Sequence, residues 1–276
     1  LSGGAKIGDV MSRLAVIAGQ GRLPEELARH ARDQGHDVVI FRITGQADAA
    51  FSGFETFDVP LGAIGSTRQK LTETGCTSMV MVGRIRRPSL AELKPDAAAV
   101  ALLAKAVGRG DDALLRVISD YFAEAGIETL SPDSLVPRVR MPEGLLAGDV
   151  DAARRVDIEL GVDVLAALGH HDVGQGVVVQ DGRVMAIEAA EGTDAMLERA
   201  AALLDTSAPA AVFVKAPKAG QDMRLDPPVA GAETLRRAAA AGIGVVALKA
   251  GGVILADEPE TLRSLADELR LVVIGI

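Results

Sequence analysis

The stretch KAPKAGQDMRLDPP, residues 215 to 228, gathers Lys215, Lys218 and Arg224 around Asp222 and Asp226 directly after the apolar run AAVFV. Hydrolysis of a phosphoanhydride needs cations on the phosphoryl oxygens, a metal bridging the phosphates, and a carboxylate that holds the metal or the water. Lys215, Lys218, Arg224 and Asp226 supply those types within one segment, and Gln221 adds an amide. Lys215 ends a strand-like run, which puts its ammonium at the carboxyl edge of a sheet, a common place for chemistry. Pro217, Gly220, Pro227 and Pro228 keep the segment irregular. Loops with both signs of charge are commonly just solvated, but this one lies between a buried strand and a helix that begins near Gly231.

A second cluster lies in VMAIEAAEGTDAML, residues 184 to 197. Gly192 marks a strand-to-helix turn, and Thr193 or Asp194 is expected to cap the helix. That leaves Glu188 and Glu191, and a carboxylate in or beside an apolar strand is costly unless paired. Both are candidates for a metal or for a cation partner.

Three further sites carry weaker signals. GQGRLP offers Gly19 and Gly21 at a turn before a helix, where backbone N–H groups can meet phosphate. Pro24 replaces the third glycine of a dinucleotide fingerprint, and FRITG ends the second strand without an acidic residue for a ribose, so NAD or FAD is disfavoured. In GRIRRP, Arg84, Arg86 and Arg87 follow a buried strand and could fork to an anion, with Arg84 first in line. Solvation accounts for at least two of them. Asp111 and Asp112 stand where a helix begins, so capping is the expected role and Mg²⁺ the lesser one. The adjacent His170 and His171 diverge, and no zinc, Walker A or nucleophile-elbow pattern is present.

The elements that position these residues alternate. RLAVIAGQG, DVVIFRI and SMVMVGRI read as buried strands, with a helix entered at Pro24 and stopped at Gly35 between the first two. DDALLRVISDYFAEAG is helical, and GIETL is a last short strand. Residues 11–130 therefore read as an N-terminal Rossmann-like α/β domain with a parallel sheet. Residues 131–150 contain three prolines and no clear period and are expected to link it to a C-terminal mixed α/β domain, 151–276. There, Asp181-Gly182 joins two strands as a type I′ hairpin. A helix from about Thr193, the strand AAVFVKA, the helix GAETLRRAAAAG, further strands and a helix near 258 to 269 follow. Residues 1 to 10, ahead of Met11, are set aside as an upstream extension.

Composition narrows the function classes. The 276-residue chain has net charge −9, 3% aromatic residues and no Trp. That argues against nucleic acid, whose sites need basic surfaces and stacking platforms. Anions must be held by local cations. The single cysteine, Cys76, leaves no intrachain disulfide and fits a reducing cytoplasm. No apolar run reaches the roughly 18 to 20 residues that span a bilayer.

Taken together, LAVIAGQGRLPEELARHARDQGHDVVIFRI, GRGDDALL, DVGQGVVV, EAAEGTDAML and KAPKAGQDMRLDPPVAG resemble the UDP-2,3-diacylglucosamine pyrophosphatase family of the lipid A pathway, long catalogued as a domain of unknown function. The likeness runs from about Arg13 to Ile276. It implies a cytoplasmic enzyme that converts UDP-2,3-diacylglucosamine to UMP and 2,3-diacylglucosamine 1-phosphate (lipid X) with Mg²⁺ or another divalent cation. It further implies two α/β domains holding the substrate between them, a homodimer, and at most peripheral contact with the inner membrane. The family's key aspartate falls on Asp226, and the GTD turn and the KAPK lysines also match. The expected catalytic residues are Asp226 and Lys215, and the expected metal ligands Asp226, Glu188 and Glu191. Expected substrate contacts are Gly19, Gly21, Arg84, Gly192, Thr193, Lys218, Gln221 and Arg224. The rival readings are a non-catalytic sugar-nucleotide binding module and a dinucleotide oxidoreductase.

Overall fold

The computed structural model describes residues 13–86, 93–106, 110–136 and 140–276, with backbone alone at 110–112. Residues 1 to 10, Arg87 and the side chains of Asp111 and Asp112 lie outside the described residues. The chain divides into two compact units, one built from the chain up to Pro137 and the other from Arg138 to Ile276, to which Gly110–Asp112 also belongs.

Up to Leu135 the elements are β1 (Arg13–Ala18), α1 (Leu23–Asp33), β2 (Asp37–Ile43), β3 (Glu55–Val59), α2 (Ile64–Glu73), β4 (Ser78–Val82), α3 (Ala97–Ala106), α4 (Gly110–Ala123), β5 (Glu128–Thr129) and α5 (Pro132–Leu135). The strands form one sheet in the order β3-β2-β1-β4-β5, every pairing parallel. This is the Rossmann-like sheet expected from the alternation of apolar runs and helices. Parallel strands need cover on both faces, which is why β1 and β2 read as continuous apolar runs. Leu27, Ala28 and Ala31 of α1 pack with Leu14 and Val16 on one face. Leu71 and Phe122 pack with Ala15 and Met79 on the other. Pro24 in the first turn of α1, with Glu25 and Glu26 beside it, starts that helix as expected.

The second unit comprises β6 (Gly144–Ala147), α6 (Ala152–Gly169), β7 (Gly176–Gln180), β8 (Arg183–Ile187), α7 (Gly192–Ala201), β9 (Ala211–Lys215), β10 (Val229–Ala230), α8 (Ala232–Ala240), β11 (Ile243–Leu248), β12 (Ile254–Leu255), α9 (Pro259–Leu269) and β13 (Val272–Gly275). Its main sheet runs β6-β13-β11-β9-β7-β8. β11 pairs in parallel with β9 and β13, while β6, β7 and β8 join antiparallel, so the sheet is mixed. Ile158 and Leu165 of α6 cover one face with Val177 and Val214. Met196, Leu197, Leu235 and Leu262 from α7, α8 and α9 cover the other with Phe213 and Val246. Each fully buried side chain of this kind contributes about 1.5–3 kcal/mol.

Three features depart from the sequence reading. Residues 144–147, inside the expected linker, form β6 because Leu146 and Ala147 bury in the second core and the strand pairs with β13. No element is expected over 152–169, yet α6 spans it. Its apolar residues are scattered around the helix and do not form one stripe, and Gly161 breaks the run. That glycine is what lets α6 lie close to the sheet, since a β-carbon there would fall 2.5 Å from Val214 Cγ2. The elements β3, α2 and α3 also go unread, their sequences carrying neither clear alternation nor strong caps. The hairpin is as expected: Asp181 and Gly182 both have positive φ, +50° and +71°, as a type I′ turn requires. Among the described residues no helix is long and apolar enough to cross a membrane.

Candidate functional site

The second-unit cluster is built by strand register. Gly176 pairs with Lys215 at the carboxyl end of β9, and on its other side its carbonyl accepts from the Glu188 amide at 2.8 Å. Glu188, Gly176 and Lys215 thus form a row across three neighbouring strands. Strands lie about 4.8 Å apart, so residues two strands away are about 10 Å apart along the backbone and only long side chains can meet. They meet because the middle residue has no side chain. A β-carbon on Gly176 would fall 2.7 Å from Glu188 Oε2 and 2.9 Å from Phe213 Cε2.

Above Gly176, Lys215 Nζ donates to Thr193 Oγ1 at 2.7 Å, and the Thr193 hydroxyl donates to Glu188 Oε1 at 2.9 Å. Glu188 Oε2 lies 3.9 Å from Nζ and is buried without a hydrogen-bond partner. Lys215 is only 4% exposed. Burial pulls its amine below the ordinary lysine value, while the carboxylates of Glu188, Asp226 and Asp194 oppose that pull. Three of the sequence-selected residues, Glu188, Thr193 and Lys215, are in contact, and the Asp226 carboxylate bears on Lys215 electrostatically.

The expected capping role of Thr193 or Asp194 is not what the structure shows, since neither is the N-cap. The N-cap of α7 is Glu191 and makes no side-chain cap. Thr193 is turned into the Lys215–Glu188 pair because a buried ammonium and carboxylate need hydrogen-bond partners more than an exposed helix end does. Gly192, with φ +81°, provides the left-handed step that delivers Thr193 there.

The loop after β9 is internally braced. The Gln221 side chain accepts from the Lys218 amide at 2.9 Å and from Gln175 Nε2 at 3.0 Å, and donates to the Asp226 carbonyl. Lys218 Nζ pairs with Asp172 just beyond α6. Arg224 grips Asp222 through two nitrogens, at 3.0 and 2.6 Å. Asp226 lies exposed near the loop's end. Sequence reasoning singled out Lys218, Gln221 and both members of the Arg224–Asp222 pair, but not Asp172 and Gln175, the partners of Lys218 and Gln221. DVGQG held that signal, a carboxylate and an amide wedged before a buried strand.

A magnesium ion that keeps waters and takes substrate oxygens needs only one or two protein carboxylates. The exposed carboxylate of Asp226 fits that requirement. Glu188 is turned toward Thr193 and Lys215, and Glu191 pairs with Arg199 at 2.7 Å, a hydrogen bond that holds its carboxyl below the usual range. Both side chains act here as partners of cations, the second role the sequence left open for them.

In the first unit, Gly19, Gly21 and Arg84 come together at the carboxyl ends of β1 and β4. Gln20 and Arg84 form a two-way backbone bridge, at 2.8 and 3.1 Å. A β-carbon on Gly19 would fall 2.6 Å from the Arg84 carbonyl. The Gly21 N–H, expected to face phosphate, donates to Asp48 at 2.9 Å. Arg84 and Arg86 are exposed, and the Gln46 side chain braces the Arg86 backbone in both directions, at 3.0 and 3.2 Å.

Comparison with known proteins covers nearly the whole chain. The LpxI N-terminal domain family matches residues 13–139 and the LpxI C-terminal domain family residues 142–274. A protein of Caulobacter vibrioides named UDP-2,3-diacylglucosamine pyrophosphatase LpxI is 37% identical, over 96% of this chain and 98% of its own length. Among solved structures, a putative NAD-dependent epimerase/dehydratase of Methylobacillus flagellatus matches 49% of this chain and 42% of its own, at 18% identity and TM-score 0.27. A putative epimerase of Burkholderia cenocepacia J2315 matches 96% and 94%, at 13% identity and TM-score 0.28. Likenesses that remote carry no argument here. The two domain matches and the 37% relative do, and by them this chain belongs to the LpxI family.

Proposed function

We propose that this protein hydrolyses UDP-2,3-diacylglucosamine to UMP and 2,3-diacylglucosamine 1-phosphate in lipid A biosynthesis. The observation that carries the reading is the grouping of buried Lys215 with the Asp226 loop at the carboxyl end of β9, in a chain whose relative is named for that reaction. Water's oxygen bonds to one phosphorus, the bridging P–O bond breaks, and the proton leaves for solvent. Asp226 orients that water or holds the metal, and Lys215, Lys218 and Arg224 neutralise charge on the phosphoryl oxygens. Asp226 would hold a divalent cation such as Mg²⁺, which when bound would supply stabilisation of the charge that develops on the phosphoryl oxygens. Lys218 and Arg224 already carry the carboxylates Asp172 and Asp222, so substrate oxygens must share or displace those partners. The acyl chains call for an apolar groove, with each buried CH₂ contributing about 0.8 kcal/mol.

The test is UMP release from UDP-2,3-diacylglucosamine by the purified protein, with Mg²⁺ and with EDTA. Release that stops with EDTA is the expected result. Ligand bound without release would turn the reading to a sugar-nucleotide binding module.

A further inference from the structure

We propose that Thr193 and Glu188 are positioning residues for Lys215, acting through one hydrogen-bond chain that Gly176 makes room for. The inference rests on the reading of Lys215 as a group that meets the pyrophosphate.

A lysine ammonium is a point charge on a flexible four-carbon stem with three donors. On a surface its direction is set by solvent. Lys215 is 4% exposed and has instead a fixed acceptor, Thr193 Oγ1 at 2.7 Å. A hydroxyl has one proton to give, and that of Thr193 goes to Glu188 Oε1 at 2.9 Å. The direction of the chain is therefore set: Nζ to Oγ1, Oγ1 to Oε1. Threonine is branched at Cβ and stiff at χ1, and Thr193 stands in the first turn of α7, so its oxygen is held by a helix backbone. Glu188 is anchored by its own amide on the Gly176 carbonyl, at 2.8 Å. Asp194 and Asp226 also bear on Lys215, but Asp194 lies 3.5 Å from Arg237 and Asp226 is exposed. Thr193 and Glu188 are the partners whose contacts fix where Nζ sits.

The test compares Thr193→Val, Thr193→Ser, Glu188→Gln and Glu188→Leu with the wild type by two readouts. One is kcat and KM for UMP release. The other is acetylation of Lys215 by acetic anhydride, located by peptide mapping. Thr193→Val keeps shape and removes the hydroxyl. It is expected to lower kcat about 100-fold, as a misplaced group does, with KM little changed and Lys215 more readily acetylated. Thr193→Ser restores the hydroxyl, and most of kcat and of the protection should return. Glu188→Gln keeps the acceptor and should retain more kcat than Glu188→Leu. Wild-type kcat in Thr193→Val, equal impairment of Thr193→Ser, or unaltered Lys215 protection in Thr193→Val would each overturn the proposal. If the wild type itself releases no UMP, the proposed function fails, and the acetylation comparison still decides the positioning role.

Discussion

A β-carbon on Gly176 would lie 2.7 Å from Glu188 Oε2, so the carboxylate occupies the space that any larger residue at 176 would take. Gly176→Ala must displace Glu188 or the Phe213 ring, which a β-carbon would approach to 2.9 Å. Overpacking of this kind costs about 1–3 kcal/mol. The expected outcome is a lower denaturation midpoint together with reduced UMP release. Unchanged values of both would show that the gap over β7 is not needed.

Lys215 makes stability depend on pH with a defined sign. Its folded-state value is pulled below the ordinary 10.5 first by burial, against the pull of Glu188, Asp226 and Asp194. Between the folded value and 10.5 the unfolded chain binds the extra proton, so the native state gains stability as pH rises. Below the folded value the penalty is fully present, and above 10.5 it is gone. Urea unfolding at steps up to pH 10.5 should show wild-type stability climbing relative to Lys215→Met. A difference that stays flat or falls contradicts this.

Asp172 and Lys218 tie the end of α6 to the loop after β9, with side chains 14% and 13% exposed. Asp172 has φ +53°, a conformation asparagine also tolerates, so Asp172→Asn removes charge without straining backbone. A double-mutant cycle with Lys218→Met is expected to give a coupling of about 1 kcal/mol. A coupling of zero would show that the pair does not brace the loop.

Asp157 of α6 accepts from the Asp181 and Gly182 amides at 3.0 and 2.8 Å, clipping the hairpin turn to the helix. Asp157→Ala leaves both N–H groups without their carboxylate, at about 3 kcal/mol. Stability should fall by that amount while kcat of the folded fraction is kept. Loss of kcat with stability intact would contradict a purely structural role.

Much of the scaffold was legible. β1, β2, β7 and β9 are covered on both faces, and such strands read as unbroken apolar runs; Pro24 and the Asp181-Gly182 pair announce their helix and turn. Lys215 could be placed at the end of its strand because AVFV precedes it without interruption. What stayed hidden depends on contacts far apart in sequence. The Glu188–Gly176–Lys215 row exists only once β7, β8 and β9 are in register. Thr193 carries the local signature of a helix cap, and a buried lysine 22 residues on takes its hydroxyl instead. α6 went unread because Gly161 and Gly169 look like breakers. In the fold they allow the helix to approach Val214 and the Lys218–Ala219 backbone.

The most direct test of the account is UMP release by Asp226→Ala in the presence of Mg²⁺, beside wild type of matched thermal stability. Asp226 is exposed, so its loss should leave the fold intact. A residue that orients the water or holds the metal is worth about 100-fold or more in kcat, and a drop of that size with an unaltered melting curve is the predicted result. Turnover at the wild-type rate would contradict the account.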